Sequence, residues 1–317
     1  MKEVDFRIHW MTITIWGTEG FALNFWEEWF QPFLGPLQER KVGGRGFRKR
    51  YEGLLASKIY VQPSNIDSTN VENHYFSIEL PGSACDAIPD KDFQIFMLVL
   101  ERYEKYRVTR LDLAWDHLPV EPEDLLNAVN EDRVRTKTSK ESLVLTFSPY
   151  KKKDNGEIST STVTFGSRQS ERRIQLYNKR GYTRLELEAK GGRADAIAKD
   201  VLVDQPEDWY PKAAGHLKDF IDIFSDQEKQ ILASWWAKLL KGQKRANKKV
   251  SNAREVEMSR ILSWFDKQVS QSLSVVADVL GEDSIQAFIV DGRRKRGPKY
   301  QGLIDARVSK DEKGERE

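Results

Sequence analysis

Apolar and polar residues alternate along Trp10-Met-Thr-Ile-Thr-Ile-Trp16, and that period of two predicts a strand. Phe21 to Phe30 then reads as a helix stopped by Gln31-Pro32. Lys58–Val61 and His74–Leu80 read as strands. The stripe Phe93, Phe96, Met97 and Leu100 predicts a helix over 93–106, and Val108–Asp116 returns to a strand. Pro122 at a first helical position, between Glu121 and Glu123, opens a helix to about Asn130. Four strands follow, at 143–147, 161–165, 172–177 and 183–189, then a helix over 194–202. Beyond about residue 212 the apolar spacing is helical throughout, including 256–280 and 283–290.

This order of elements gives an α+β fold. A mostly antiparallel sheet region is expected over residues 1–205, a helical region packed on it over 206–305, and a disordered tail over 306–317. One internal echo suggests a duplicated strand unit: Thr109-Arg-Leu-Asp-Leu113 matches Thr183-Arg-Leu-Glu-Leu187.

Composition narrows the class. The chain has 317 residues, 39% of them hydrophobic, with nine Trp, ten Tyr and fifteen Phe that need a core or a ligand. No apolar run reaches the ~20 residues of a transmembrane helix, and no signal-peptide segment opens the chain. We expect a cytoplasmic protein with no membrane partner. The lone Cys85 excludes an internal disulfide, and the four histidines show no zinc-binding spacing.

The net charge of +2 hides segregation. Basic residues gather at 40–50, 151–153, 168–180, 238–249 and 293–296, whereas 111–132 holds acids and no Lys or Arg. Gly43-Gly44 marks the first cluster as a mobile loop, and Asp154-Asn-Gly156 after the second as a hairpin turn. Separate basic segments on a nearly neutral chain suggest a polyanion, with phosphate as the contacted group. The candidate DNA contacts are Arg45, Arg48, Lys49, Arg50, Arg172, Arg173, Lys244, Arg245, Arg293, Arg294, Lys295 and Arg296.

Strand alternation then gathers the chemistry. Arg110, Asp112, Ala114 and Asp116 share one face of their strand, and Arg184, Glu186 and Glu188 share one face of theirs. Carboxylates so arranged suit Mg²⁺ or Mn²⁺. A half-solvated strand with Arg-to-acid cross-strand pairs is the plainer alternative. Between them, Arg173, Gln175, Tyr177 and Lys179 share a face, and cations beside Tyr177 are expected to lower its phenol pKa.

The stretch Thr162-Val-Thr-Phe-Gly-Ser-Arg168, running through Arg172-Arg-Ile-Gln-Leu-Tyr177-Asn-Lys179 to Arg184-Leu-Glu186-Leu-Glu188, resembles the core signature of one family. So do Val108–Asp116, Trp264-Phe-Asp-Lys-Gln-Val and Gly292-Arg-Arg. That family is the Rep_trans-type rolling-circle replication initiators of Gram-positive plasmids, phages and integrative elements, with related conjugative relaxases. The resemblance implies a sequence-specific nickase. It implies Tyr177 as nucleophile, Asp112 and Glu186 as leading metal ligands with Asp116 and Glu188 behind them, and Lys179 and Arg168 stabilising charge on the phosphate. It also implies double-stranded origin DNA and its nicked single strand as substrates, a host helicase as partner, and room for a homodimer. The family often carries a Glu a few residues beyond Tyr-x-Lys. Here Arg180-Gly181-Tyr182 forms a tight hairpin instead, which makes Tyr182 a rival nucleophile. The alternative function is a non-catalytic DNA-binding regulator using the same basic segments.

Overall fold

The computed structural model describes residues 3–66, 73–103, 105–136, 145–148, 161–179, 181–246 and 265–295. They divide into two compact units, residues 1–248 and 249–317.

Among the described residues the first unit is built on a ten-stranded sheet with every neighbouring pair antiparallel. Its strands are β1 (Asp5–Trp16), β2 (Gln38–Arg40), β3 (Phe47–Glu52), β4 (Lys58–Pro63), β5 (Tyr75–Leu80), β6 (Tyr106–Leu118), β8 (Leu145–Ser148), β9 (Thr162–Phe165), β10 (Arg172–Lys179) and β11 (Tyr182–Lys190). They lie in the order β2-β3-β4-β5-β1-β6-β11-β10-β9-β8. A separate pair joins β7 (Val134–Thr136) to β12 (Ile221–Ile223).

The helices of this unit are α1 (Glu19–Trp29), α2 (Gln31–Leu34), α3 (Gly82–Ala87), α4 (Asp90–Leu100), α5 (Pro122–Asn130), α6 (Gly191–Val201), α7 (Pro206–Phe220) and α8 (Ser234–Leu240). Thr18 caps α1, its hydroxyl accepting from the Phe21 N–H. Pro122 and a reciprocal Glu121–Asp124 capping box start α5 where the sequence places it.

Alternation puts Met11, Ile13, Ile15, Phe76, Ile78, Leu111, Leu113, Trp115, Leu185 and Leu187 on one sheet face, all buried. Phe25, Phe30, Phe76 and Phe96 pack edge-on under α1 and α4, while Ala194, Ile197, Trp209 and Leu217 of α6 and α7 belong to the same core. The other face carries the polar residues of β6, β10 and β11.

The structure corrects several expectations. Residues 40–50 are not simply a loop: Arg40 ends β2, Arg48 to Arg50 lie in β3, and the two strands pair. Phe47-Arg-Lys-Arg-Tyr-Glu52 alternates well enough to be a strand once β4 is beside it. The helix expected over 93–106 ends at Leu100, because a turn at 101–103 releases Tyr106 into β6. The chain beyond 212 is not wholly helical, since Ile221-Asp-Ile223 pairs with β7. Residues 206–246, expected in a helical region packed on the sheet, cluster in the same compact unit as the sheet. The turn at 154–156, the tail from 306 and residues 256–264 lie outside the described residues.

The second unit holds a π-helical turn at Phe265–Val269, then α9 (Ser270–Leu280) and α10 (Glu282–Arg294). Neither α9 nor α10 has a buried residue. No helix among the described residues is long and apolar enough to cross a membrane.

Candidate active site

The two echoing strands are antiparallel neighbours. Glu188 therefore faces Asp112, and Glu186 faces Ala114. The matching positions of the echo, Asp112 and Glu186, are thus offset by two residues in the register. Tyr177 on β10 faces Arg184, and Arg173 faces Glu188.

All four acids are buried, so the carboxylate face is not the half-solvated surface that alternation alone allows. Buried charge must be paired. Arg184 forks onto Asp116, with Nη2 donating to Oδ2 at 2.6 Å and Nε donating to Oδ1. Arg110 forks onto Asp112 at 3.0 and 2.6 Å and reaches Glu188 at 3.2 Å, its guanidinium lying 4.4 Å over the Trp10 ring. Arg173 donates to Glu188 at 2.6 Å, and Lys190 lies 2.7 Å from its other oxygen.

Beside these pairs runs a second chain of contacts. The Tyr177 hydroxyl donates to Glu186 Oε1. His9 Nε2 lies 3.1 Å from the same oxygen, and Arg184 Nη1 lies 3.0 Å from His9 Nδ1. Burial, reinforced by the charges of Arg184 and Lys179, lowers the His9 pKa to about 4. The ring is thus neutral at physiological pH, with Arg184 Nη1 against its Nδ1 and the Glu186 carboxylate 3.1 Å from its Nε2.

Sequence reasoning missed His9 because β1 bulges there. Ile8 pairs with Leu113 and Trp10 with Asp112, which leaves His9 as the extra residue. Gly82 completes the fit, since a Cβ at that position would stand 2.5 Å from His9 Nδ1.

Burial and the Glu186 charge raise the Tyr177 pKa, contrary to the lowered value expected from flanking cations. Lys179 has its own pKa lowered, by burial and then by Arg184. Burial raises the Glu186 carboxyl despite its bond from Tyr177. Burial pushes Asp112 up to about 7; Arg110 opposes the rise, and the Glu188 and Glu186 charges add to it. For Glu188 the burial effect is outweighed by Arg173 and Lys190, and its pKa falls.

Among the described residues, no group of three or more His, Cys, Asp or Glu stands ready to hold a metal ion. The donor chemistry nevertheless suits a hard divalent cation. The Glu188 and Glu186 charges add to the cost of ionising Asp112, and Arg110, Arg173 and Lys190 are the cations that now pair with Asp112 and Glu188.

The remaining site expectations scatter. Arg168 is in the turn before β10, at the Arg172 end of the strand, and its carbonyl accepts from Lys190. Tyr177 is five residues along, next to the opposite hairpin, so that turn does not flank the tyrosine. Tyr182 faces Lys179 and packs its ring 4.5 Å from that of His117. Arg172 points to the core side, bonded to Asp219 at 3.0 Å and stacked on Phe220. Lys49 is bonded to Glu19 at 3.1 Å, and Arg245 to Asp222. Arg293 and Arg294 close the last turn of α10 and Lys295 follows, all exposed, while Arg296 lies outside the described residues.

A family model described as replication initiation factor, Rep_trans, matches residues 106–289. The chain belongs to that family. The matched span opens at the first residue of β6 and includes Asp112, Asp116, Tyr177, Glu186 and Glu188, but not β1 with His9. Membership places the chain among replication initiators. A solved structure, that of a rolling circle replication initiator protein from Geobacillus stearothermophilus, is similar at a TM-score of 0.57. It is 17% identical, and the match covers 78% of this chain and 100% of that one. At that identity the likeness is one of fold. None of the curated proteins compared with the chain matches it.

Proposed function

We propose that the chain initiates rolling-circle replication by nicking one strand of an origin through Tyr177. The observation that carries this reading is the Tyr177 hydroxyl donating to the Glu186 carboxylate, on a sheet face that also presents Arg184, Lys179 and Arg173. A phenol with a raised pKa is a poor nucleophile on its own, and a carboxylate in contact with its proton is a ready general base.

As Tyr177 Oη attacks phosphorus, its proton passes to Glu186. The bond from phosphorus to the 3′ oxygen breaks. The departing 3′ oxygen takes a proton from water, so the strand leaves a 5′ phosphate on the tyrosine and a free 3′-hydroxyl that primes synthesis. Lys179 and Arg184 border the place where negative charge grows. His9 lies 3.1 Å from the same Glu186 oxygen and helps position the carboxylate for the transfer.

Asp112, Glu186 and Glu188 would hold Mg²⁺ or Mn²⁺. When bound, such an ion polarises the scissile phosphate. Asp116 suits this role less, because Arg184 engages both its oxygens. Asp112→Asn should abolish nicking and leave origin binding intact, since binding comes from phosphate and base contacts elsewhere. Undiminished nicking by this variant, or by the parent in chelator, would remove the metal role. The decisive assay is a metal-dependent nick in supercoiled DNA of the parent element, mapped to one phosphodiester; a regulator that only binds makes none.

The exposed basic end of α10 is a candidate for duplex binding. Replacing Arg293, Arg294, Lys295 and Arg296 by Ala should reduce the slope of log affinity against log salt by roughly 3 to 4, at ~0.9 for each phosphate no longer neutralised. An unchanged slope would exclude this segment from the interface.

A further inference from the structure

The polar sheet face that carries the nicking site does not stop there. It continues across β1, β5, β4 and β3, where aromatic rings join it around the buried Glu79, itself paired with Arg45 and Lys58. Trp10 faces Asp112, Thr12 faces Arg110, and Thr14 and Trp16 follow on the same side of β1. Tyr75 is the cross-strand partner of Trp16, and their ring centroids are 5.9 Å apart. Phe47 stacks edge-on against Tyr75 at 5.4 Å and lies 5.9 Å from Tyr60. Arg45 sits 5.8 Å over the Tyr60 ring, half exposed and paired with the buried Glu79 at 2.6 Å, and Arg48 is exposed and donates to the Ile66 carbonyl at 3.3 Å.

These rings are not part of the helix-covered core. That core takes the alternate positions Met11, Ile13, Ile15, Phe76 and Ile78 on the opposite face. Trp16, Tyr75 and Phe47 stay partly exposed, where large apolar groups need a reason to be. A row of partly exposed rings with arginines beside them is the chemistry that unpaired bases meet: the rings offer stacking faces and the cations follow the backbone. Trp16 is six residues beyond Trp10 along β1, about 20 Å at ~3.4 Å per residue, a span that a strand of several nucleotides covers.

We propose that Trp16, Tyr75 and Phe47, with Arg45 and Arg48, form a stacking platform for single-stranded DNA leading to the nick. The proposal rests on the nicking reading for its purpose, though not for its test.

The test uses the full chain and fluorescein-labelled oligothymidylates of about 6 and about 20 nucleotides. The parent protein should bind the longer one more tightly. Trp16→Ala and Tyr75→Ala should each weaken that binding about tenfold, as expected when one base loses its stacking partner. Tyr75→Phe, which keeps the ring, should bind like the parent. An oligonucleotide carrying 5-iododeoxyuridine should photocrosslink to Trp16 or Tyr75, a readout that needs no variant to fold. Unchanged affinity in both folded alanine variants, a crosslink confined to other residues, or equal affinity for a duplex of the same length would overturn the platform. Nicking of supercoiled parent-element DNA is assayed alongside. Parent protein that nicks while the platform results fail would overturn this inference alone. Parent protein that never nicks would overturn the nicking reading even where the platform binds DNA as expected.

Discussion

Tyr177→Phe should bind origin DNA like the parent and form no covalent adduct, with nicking reduced by at least about 10⁴-fold, as when a nucleophile is removed from a catalytic unit. The substitution deletes one oxygen. Glu186 keeps its contact with His9, so the cost to the fold should be about 1 kcal/mol. Tyr182→Phe should retain activity. Tyr182 shares the face, yet its ring packs on His117, whereas the carboxylate suited to take a proton touches Tyr177. Trapping the complex on a labelled single-stranded origin oligonucleotide, digesting it and weighing the adduct peptide should place the nucleotide on Tyr177. An adduct on Tyr182, or full activity in Tyr177→Phe, would move the nucleophile to the hairpin and leave the nicking chemistry intact.

How much of this was legible beforehand depends on how local the signal is. Alternation along β6 and β11 was enough to put Asp112 and Asp116 on one face and Glu186 and Glu188 on another, because a period of two survives wherever strands stay regular. Pairing is a different matter. Only the antiparallel register shows that Glu188, and not Glu186, faces Asp112, and register depends on contacts far apart in sequence. His9 was invisible for a related reason: a single extra residue in β1 turns an isolated histidine toward Glu186, and no pattern in the nearby sequence announces a bulge. The Tyr177 pKa was misjudged because neighbouring cations can be counted in a sequence, while burial and the Glu186 carboxylate that outweigh them cannot. Among the basic residues, Arg172, Lys49 and Arg245 read as DNA contacts by composition and prove to be bonded to Asp219, Glu19 and Asp222. Clustering identifies charge but not which charges are already used.

The largest effect on stability should come from the pair of Asp116, which the resemblance places behind the leading metal ligands, and Arg184 on the neighbouring strand. Asp116 and Arg184 are each 1% exposed and bonded through two parallel contacts, with Arg7 3.3 Å from Asp116 and His9 against Arg184. Asp116→Ala leaves a guanidinium buried against a neutral imidazole, and removing one partner of such a pair costs about 3–5 kcal/mol. For a unit of this size that lowers Tm by roughly 10 °C. Replacing both residues, Asp116→Leu with Arg184→Met, should recover much of the loss, since neither member of the forked pair is then left buried without the other. The pH dependence has a definite sign. Burial raises the Asp116 carboxyl, but the Arg184 bonds and charge outweigh it, so its folded pKa lies below the unfolded value of ~3.9. The pair's stabilisation is therefore complete at neutral pH and fades only as pH falls below about 4, where the parent and Asp116→Ala should converge. Thermal melts of parent, single and double variants between neutral pH and pH 3 measure all three expectations. If the single and double variants were equally unstable, the residues would be packing elements rather than a charge pair. If Asp116→Ala kept the parent's Tm but lost nicking, Asp116 would instead belong to the metal-binding group from which its bonds to Arg184 now separate it.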